Sequence, residues 1–259
     1  MIVDLHNHTP LCNHAEGSID EYINAAIQKG TKIFGFSDHA PMDFDPEYRM
    51  EFKDMQEYEK NVRLAQEHYK DKITILLGYE VDYLKGHMDK RVLNAAVDYL
   101  IGSVHFIDGW GFDNPEFIGR YESEDIDEIW QKYFDTIEAM AKSGLFDIVG
   151  HLDLIKVFKF MPNKDIKIIA KNALLAIKKA DMVLEINVAG YRKPVAEAYP
   201  SKELLEEAFK LDIPITFSSD AHKPEQVGLC NDEVIQLARE IGYTKCAYFQ
   251  NRERKFLEL

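Results

Sequence analysis

Short apolar runs alternate with longer stretches of helical periodicity along the whole chain. The runs are rich in Ile, Val, Leu and Phe and have the length of buried strands, at residues 2–5, 33–36, 73–77, 99–104, 147–149, 183–186 and 213–217. The helical stretches lie between them, at residues 19–29, 50–69, 90–96, 123–143, 164–179 and 201–210. The pattern predicts strands that alternate with helices throughout.

Local signals mark where the predicted helices begin and end. Ser18, Ser123 and Ser201 precede acidic residues in the first helical turn, whereas Gly30 and Gly144 stand where helices should stop. No linker, charge block or composition shift divides the sequence. The sequence therefore predicts one domain over residues 1–259.

Seven strand and helix units favour a parallel sheet that curls into a closed or nearly closed barrel. No Gly-x-Gly-x-x-Gly motif follows the first strand, which disfavours the alternative of a doubly wound, dinucleotide-binding sheet. Residues 247–259 are predicted to add a last short strand and a helix.

The composition indicates which binding partners and which cellular location to expect. The formal net charge of −14 repels polyanions, so we expect no nucleic-acid partner. No apolar stretch approaches the roughly 20 residues that span a bilayer, so no membrane partner is expected either. The 3 cysteines lack a Cys-x-x-Cys spacing, and the first residues resemble no leader peptide. We therefore expect a cytoplasmic protein without disulfides.

Most of the 9 histidines fall at or just beyond the carboxyl end of a predicted strand. These are His6, His8, His14, His39, His105, His151 and His222. Loops at the carboxyl ends of barrel strands converge on one mouth, so these imidazoles are expected to meet there. The first two alternate with Asn7, which places both rings on one side of a strand, as two ligands of one metal require.

Two carboxylates accompany the histidines. Glu80 follows the third apolar run, and Asp220 lies two residues before His222. Each carboxylate has two oxygens and suits bridging between divalent metals, and the whole set has too many donors for one tetrahedral ion. Singly, either carboxylate also fits a helix cap or an ion pair. Cys12 is interpreted as a small buried side chain.

Several motifs in order along nearly the whole chain resemble one family. They are Asp-Leu-His-Asn-His at residues 4–8, Ser-Asp-His-Ala-Pro at 37–41, Gly-Tyr-Glu-Val-Asp-Tyr at 78–83, Gly-Ser-Val-His-Phe at 102–106, Gly-His-Leu-Asp-Leu-Ile-Lys at 150–156 and Ser-Ser-Asp-Ala-His-Lys-Pro at 218–224. The sequence resembles the polymerase and histidinol phosphatase (PHP) superfamily, in its histidinol-phosphatase branch.

The resemblance implies a distorted seven-stranded (βα)7 TIM-like barrel that holds three divalent metal ions. Imidazole-rich ligation favours zinc, manganese or iron. The implied ligand sets are His6, His8, Glu80 and Asp220 for the first ion, Glu80, His105 and His151 for the second, and His14, His39 and His222 for the third.

The resemblance also implies hydrolysis of L-histidinol phosphate, a small-molecule phosphate ester of histidine biosynthesis, by a hydroxide that bridges metals. Arg192 and, as a weaker candidate, Lys156 would bind phosphate. Binding of the substrate's imidazole would need pocket residues such as Tyr83, Phe106, Tyr121 or Glu122. Glu80, Asp220, Arg192 and His39 are the implied catalytic residues. The acid that protonates the leaving group stays open between a bound water and His39.

The residues themselves leave other partners and functions open. Asp4, Asp38 and Asp153 are candidates to accept a hydrogen bond from a ligating imidazole. The alternative functions are a PHP phosphoesterase for another small phosphomonoester or nucleotide, and a noncatalytic metal-binding PHP domain. A metal-dependent amidohydrolase shares the His-x-His opening but would leave the third set of histidines with no metal to hold.

Overall fold

The computed structural model describes residues 2–259, so Met1, the first residue of the predicted domain, lies outside the described residues. The strands, in chain order β1 to β11, are Val3–Asp4, Ile33–His39, Thr74–Asp82, Tyr99–Ser103, Phe106–Ile107, Trp110–Gly111, Ile148–Val149, Val183–Asn187, Ile215–Ser218, Lys245–Gln250 and Glu253–Glu258. The helices, α1 to α8, are Ile19–Gln28, Met55–Tyr69, Lys90–Leu93, Arg120–Ser123, Ile126–Ser143, Ile166–Lys179, Lys202–Lys210 and Asn231–Ile241. None of these helices is long and apolar enough to cross a membrane.

A 7-stranded parallel sheet forms the centre of the molecule, in the order β1-β2-β3-β4-β7-β8-β9. Its two edges meet, because the Leu5 N–H donates to the Phe217 carbonyl at 3.1 Å and the His8 N–H donates to the Ala221 carbonyl at 3.0 Å. The predicted barrel is confirmed. That residues 1–259 form one domain stays a prediction, which a sheet running from β1 to β9 favours.

The barrel is distorted because its strands pair over unequal lengths. All 7 residues of β2 pair with β3, whereas β1 and β7 have only 2 residues each. The best-paired part of the sheet therefore surrounds β3, the strand that carries Glu80.

Tyr99 fills the barrel interior. Its side chain is fully buried, and its hydroxyl donates to the Leu5 carbonyl at 2.5 Å and lies 3.3 Å from the Phe36 carbonyl. A Cβ at Gly35 would lie 2.1 Å from this hydroxyl oxygen, and a Cβ at Gly78 would lie 2.6 Å from the ring. Both positions need glycine because the tyrosine occupies the space between strands.

Three predicted helix boundaries are wrong by three residues or more, and the first is the end of the helix predicted over residues 90–96, which ends at Leu93. The helix predicted from residue 50 begins at Met55, after a 3-10 turn over Phe52–Asp54. The helix predicted from Ser123 begins at Ile126, because Ser123 ends the short helix α4 and the Asp125 carboxylate caps the next helix by accepting the N–H groups of Asp127 and Glu128. A stronger cap two residues later outweighs the serine signal.

The prediction for the tail is also wrong. Residues 247–259 contribute two antiparallel strands, β10 and β11, and no helix, and helix α8 before them was not predicted. The hairpin turns at Asn251 and Arg252, which both have positive φ. Their N–H groups donate to the Asp98 side chain and carbonyl, at 3.1 and 2.8 Å, so contacts distant in sequence hold the turn.

Gly35→Ala is expected to destabilise the barrel by about 1–3 kcal/mol, because the new methyl group collides with the Tyr99 hydroxyl. Urea unfolding measures the effect. Tyr99→Phe removes the colliding oxygen, so the double variant should lose less stability than the sum of the two single variants. Additive losses would contradict this account of the barrel interior.

Candidate metal centre

The strand ends bring all nine predicted donor residues to one side of the barrel. His6 and His8 follow β1, His39 ends β2, and Glu80 lies near the end of β3. The other donors lie just beyond later strands or in the loop after β1: His14, His105, His151, Asp220 and His222. The positions agree with the expectation that loops at the carboxyl ends of the strands converge.

The donors form three groups in which candidate ligand atoms lie within 4.8 Å of one another. The groups are His6, His8 and Glu80; Glu80, His105 and His151; and His14, His39 and His222. Asp220 adjoins the first group, since its Oδ1 lies 3.1 Å from His8 Nε2 and 3.9 Å from His6 Nε2. These are the groupings that the family resemblance implies.

Glu80 lies between the groups. Its Oε2 is 3.2 Å from His6 Nε2 and 2.8 Å from His39 Nδ1, whereas its Oε1 is 2.9 Å from His151 Nε2 and 3.7 Å from His105 Nε2. The side chain is buried. Its two oxygens therefore face different histidines, as a carboxylate shared between ions must.

The unsatisfied atoms of the site fit metal ions. His6 Nε2 and Glu80 Oε2 are buried and close to other polar atoms, but no atom among the described residues meets either of them in hydrogen-bonding geometry. Buried polar atoms rarely lack a hydrogen bond. His14 Nε2 and His222 Nε2 lie 3.0 Å apart in the third group. Imidazole nitrogens and carboxylate oxygens are donors typical of divalent transition metals. The site is a metal-binding site.

Carboxylates contact the Nδ1 atoms of several of the histidine rings, on the side away from the other metal donors. The pairs are His6 with Glu185 at 2.7 Å, His105 with Asp82 at 2.6 Å, and His8 with Asp38 at 3.3 Å. Such partners set the tautomer of a ligating histidine and turn its other nitrogen toward the metal. Here Nε2 is the nitrogen that faces the donors of the site.

Glu185 connects ligands from three different strands. Besides its contact with His6, its Oε2 accepts the His151 N–H at 2.7 Å and the Asn187 side-chain amide at 3.0 Å. The same amide donates to Asp220 Oδ2 at 3.1 Å. His151 has a φ of 20°, an uncommon conformation for a non-glycine residue, and the hydrogen bond from its backbone helps to hold it.

Of the three predicted hydrogen-bond partners, only Asp38 contacts a predicted ligand ring. Asp4 accepts the Ser219 N–H at 2.9 Å, and Asp153 accepts the Ser201 N–H at 2.9 Å. The sequence analysis missed Asp82 and Glu185. A sequence feature could have identified Asp82, because it lies two residues after Glu80 on one strand and hence on the same face. The feature that could have identified Glu185 is an acidic residue within an otherwise apolar strand, β8.

The charges of the site act on one another through a buried environment. Burial lowers the pKa of His6, but the carboxylates of Glu80 and Glu185 outweigh it and raise that pKa well above its ordinary value. Burial lowers the pKa of His39 to about 4, against the opposing charge of Glu80. His39 is therefore neutral near pH 7, which suits a metal ligand and not a proton donor.

A cavity of about 500 Å³ opens above the donors, and Arg192 lines it. The guanidinium is fixed, because its Nη2 donates to the carbonyls of Ser219 and Asp220, each at 2.8 Å. Its Nη1 is buried and has no hydrogen-bond partner among residues 2–259. The group is thus in place to bind an anion in the cavity.

Lys156 does not line this cavity, and its assignment as a phosphate-binding residue is corrected. Its ammonium is fully buried and lies 3.0 Å from Asp153 Oδ2 and 2.9 Å from Glu197 Oε2, and it donates to the Ala198 carbonyl at 2.8 Å. The 3-10 turn at Leu154–Lys156 directs the side chain into the protein. Lys156 is a structural cation.

Tyr121 is also absent from the cavity wall, contrary to the expectation that it contacts substrate. The ring is buried, stacks on Phe160 at 4.7 Å, and its hydroxyl donates to the Ile155 carbonyl at 3.3 Å. Phe106 and the exposed Lys193 do line the cavity. Cys12 is buried as expected, and its sulfur also lies within 4.8 Å of candidate nitrogens of His8 and His222.

The fold and the donor set together define a metal-dependent barrel hydrolase. The PHP domain model matches residues 4–189, and the model of the PHP-associated region matches residues 203–241. The chain belongs to the PHP domain family.

Similar proteins carry the name histidinol-phosphatase and match this chain over nearly their full lengths. The "Probable histidinol-phosphatase" of Deinococcus radiodurans is 38% identical over 246 residues, covering 93% of this chain and 94% of that protein. The "Histidinol-phosphatase" of Bacillus subtilis is 27% identical over 265 residues, covering 90% and 98%. A crystal structure of the Lactococcus lactis histidinol phosphate phosphatase, complexed with zinc, L-histidinol and phosphate, has a TM-score of 0.79 at 22% identity and covers 98% of each chain. This last likeness shows the fold.

Glu185→Gln is expected to weaken metal binding by about 10- to 100-fold, because an amide cannot accept every hydrogen bond that the carboxylate accepts. Metal content after dialysis against graded chelator measures the loss. Asp98→Asn is the matched control. Asp98 is also a buried carboxylate that accepts a backbone N–H, that of Leu77, but it contacts none of the candidate metal ligands. Equal metal retention in both variants would contradict the role of Glu185.

Proposed function

We propose that the protein hydrolyses L-histidinol phosphate to L-histidinol and inorganic phosphate, as a metal-dependent phosphomonoesterase. The observation that carries this proposal is a cluster of candidate metal donors beside a fixed arginine in one cavity. The 38% identical relative, which matches over nearly its full length, supports the same reaction. The cluster of donors disfavours the noncatalytic alternative.

We propose three divalent ions, held by the ligand sets that the resemblance implies. The three groups of donors and the position of Glu80 between two of them support this number. Zinc, manganese and iron fit the imidazole-rich set. When bound, such ions supply Lewis acidity toward phosphoryl oxygens and lower the pKa of water to near 7.

The chain's own residues bind and orient the substrate. Arg192 is assigned to the nonbridging phosphoryl oxygens, because a planar guanidinium offers paired donors to such an anion. Its two bonds to main-chain carbonyls hold it in place before substrate arrives. Glu80 and Asp220 contact imidazoles from different strands, and they would position these ligands and the ions relative to one another.

The leaving alkoxide needs a proton, and His39 is not its source. Burial keeps this ring neutral near pH 7, and its Nδ1 lies 2.8 Å from Glu80 Oε2. We therefore assign His39 to metal binding alone, and not to the acid role that the sequence left open.

The expected partners are small molecules. The net charge of −14 disfavours a nucleic-acid partner, and no helix among residues 2–259 can cross a membrane. We propose a cytoplasmic location, in keeping with the three free cysteines.

Phosphate release from L-histidinol phosphate should exceed release from a panel of other phosphomonoesters and nucleotides. The measurement uses manganese- or zinc-loaded enzyme whose metal content is determined on the same sample. We expect about three ions per chain and activity that a chelator abolishes. Preferred turnover of a different ester would retain the metal centre and overturn the substrate.

Arg192→Lys is expected to raise the inhibition constant of inorganic phosphate about tenfold, because an ammonium cannot keep both carbonyl bonds and also bind the anion bidentately. Lys156→Met is the comparison, because Lys156 is the other basic residue that the sequence analysis assigned to phosphate. It should leave phosphate inhibition unchanged and cost about 3–5 kcal/mol of stability by leaving Asp153 unpaired. Weaker phosphate inhibition in the Lys156 variant alone would reverse the two assignments.

A further inference from the structure

The carboxylates that line the cavity differ in whether they have a partner. Glu80 and Asp220 lie among the metal donors. Asp82 lies 2.8 Å from Arg49 Nη1 and 2.6 Å from His105 Nδ1, and Asp45 lies 3.5 Å from Arg49 Nη2. Each of these four carboxylates thus has a cation or a metal site beside it.

Asp113 also lines the cavity, and among residues 2–259 it forms no ion pair. It belongs to none of the groups of possible metal donors in the described chain. A half-buried carboxylate outside any ion pair is costly, so its presence in a ligand cavity points to a ligand that supplies the positive charge.

The backbone that carries Asp113 is firmly packed. Its neighbour Phe112 is fully buried and lies edge to face with Tyr133 at 5.3 Å between ring centroids. Trp110 packs on Tyr121 at 4.8 Å, and the Asn114 N–H donates to the Gly111 carbonyl. The carboxylate is therefore presented to the cavity by a fixed segment, as a specificity contact requires.

We propose that Asp113 binds the α-ammonium group of the substrate and so selects an amino-alkyl phosphate over a neutral phosphomonoester. The inference rests on the proposed function, since L-histidinol phosphate carries an ammonium on the carbon next to its phosphorylated CH₂ group. Asp113, Arg192 and several of the metal donors line the same cavity, so one ligand can contact all of them. Asp113 is the lining carboxylate that forms no ion pair among residues 2–259.

The cavity then matches the charge distribution of the ligand. Arg192 and the metal ions meet the phosphate, and Asp113 meets the ammonium. Because a site built to pair with a charged group rejects an analogue that lacks it, Asp113 determines specificity more than it drives the reaction.

The test compares L-histidinol phosphate with its desamino analogue, 3-(imidazol-4-yl)propyl phosphate, which retains the imidazole and the ester. In Asp113→Asn, kcat/KM for L-histidinol phosphate is expected to fall about 10- to 100-fold, whereas the value for the analogue stays within about twofold. Retained turnover of the analogue shows that the variant is folded and metal-loaded.

Asp108→Asn is the matched control. Asp108 lies on the same segment, in the turn between β5 and β6, but it is exposed and does not line the cavity. Its φ of 51° is one that asparagine adopts readily. This variant makes the same change of charge and should leave both substrates unaffected.

The outcomes separate the two hypotheses. If wild-type enzyme prefers L-histidinol phosphate and Asp113→Asn slows both esters equally or neither, the role of Asp113 is overturned and the proposed function stands. If wild-type enzyme shows no preference for L-histidinol phosphate over the panel of other esters, the proposed function fails and the inference about Asp113 fails with it.

Discussion

The site depends on where strand β3 holds the Glu80 carboxylate. Glu80 pairs in register with His39 of β2 and with Ile101 of β4, inside the best-paired part of the sheet. Its two oxygens consequently reach histidines from four different strand ends without any motion of the side chain. A carboxylate on a loop would need ordering before it could serve two ions, and the central strand removes that requirement.

Around this carboxylate, other acids orient the imidazoles. Asp38, Asp82 and Glu185 each occupy an Nδ1, so that the remaining nitrogen points to the donors of the site. Glu185 positions the backbone of one ligand as well as the ring of another, because it also accepts the main-chain N–H of His151. The barrel interior is therefore a layered arrangement in which strand pairing fixes the acids and the acids fix the histidines.

The sequence predicts the barrel and the gathering of the histidines at one mouth because both depend on local patterns. Apolar runs mark the strands, and histidines at their ends mark the mouth. Contacts between distant segments have no such signal: the pairing of Glu185 with His6 joins β8 to β1. The assignments of Lys156 and Tyr121 are wrong for a related reason, since the direction of a side chain in a 3-10 turn or a one-turn helix depends on packing and not on its place in a motif.

An acidic protein that binds a phosphate ester must attract it over a short range. The charge of −14 opposes an anion at a distance, but salt screens exposed charges beyond about 8 Å. Inside the cavity the balance differs, because a fixed guanidinium of Arg192 lines it and the carboxylates of Asp82 and Asp45 form ion pairs with Arg49. The local arrangement of paired and unpaired charges, and not the total, thus decides which ligand the cavity accepts.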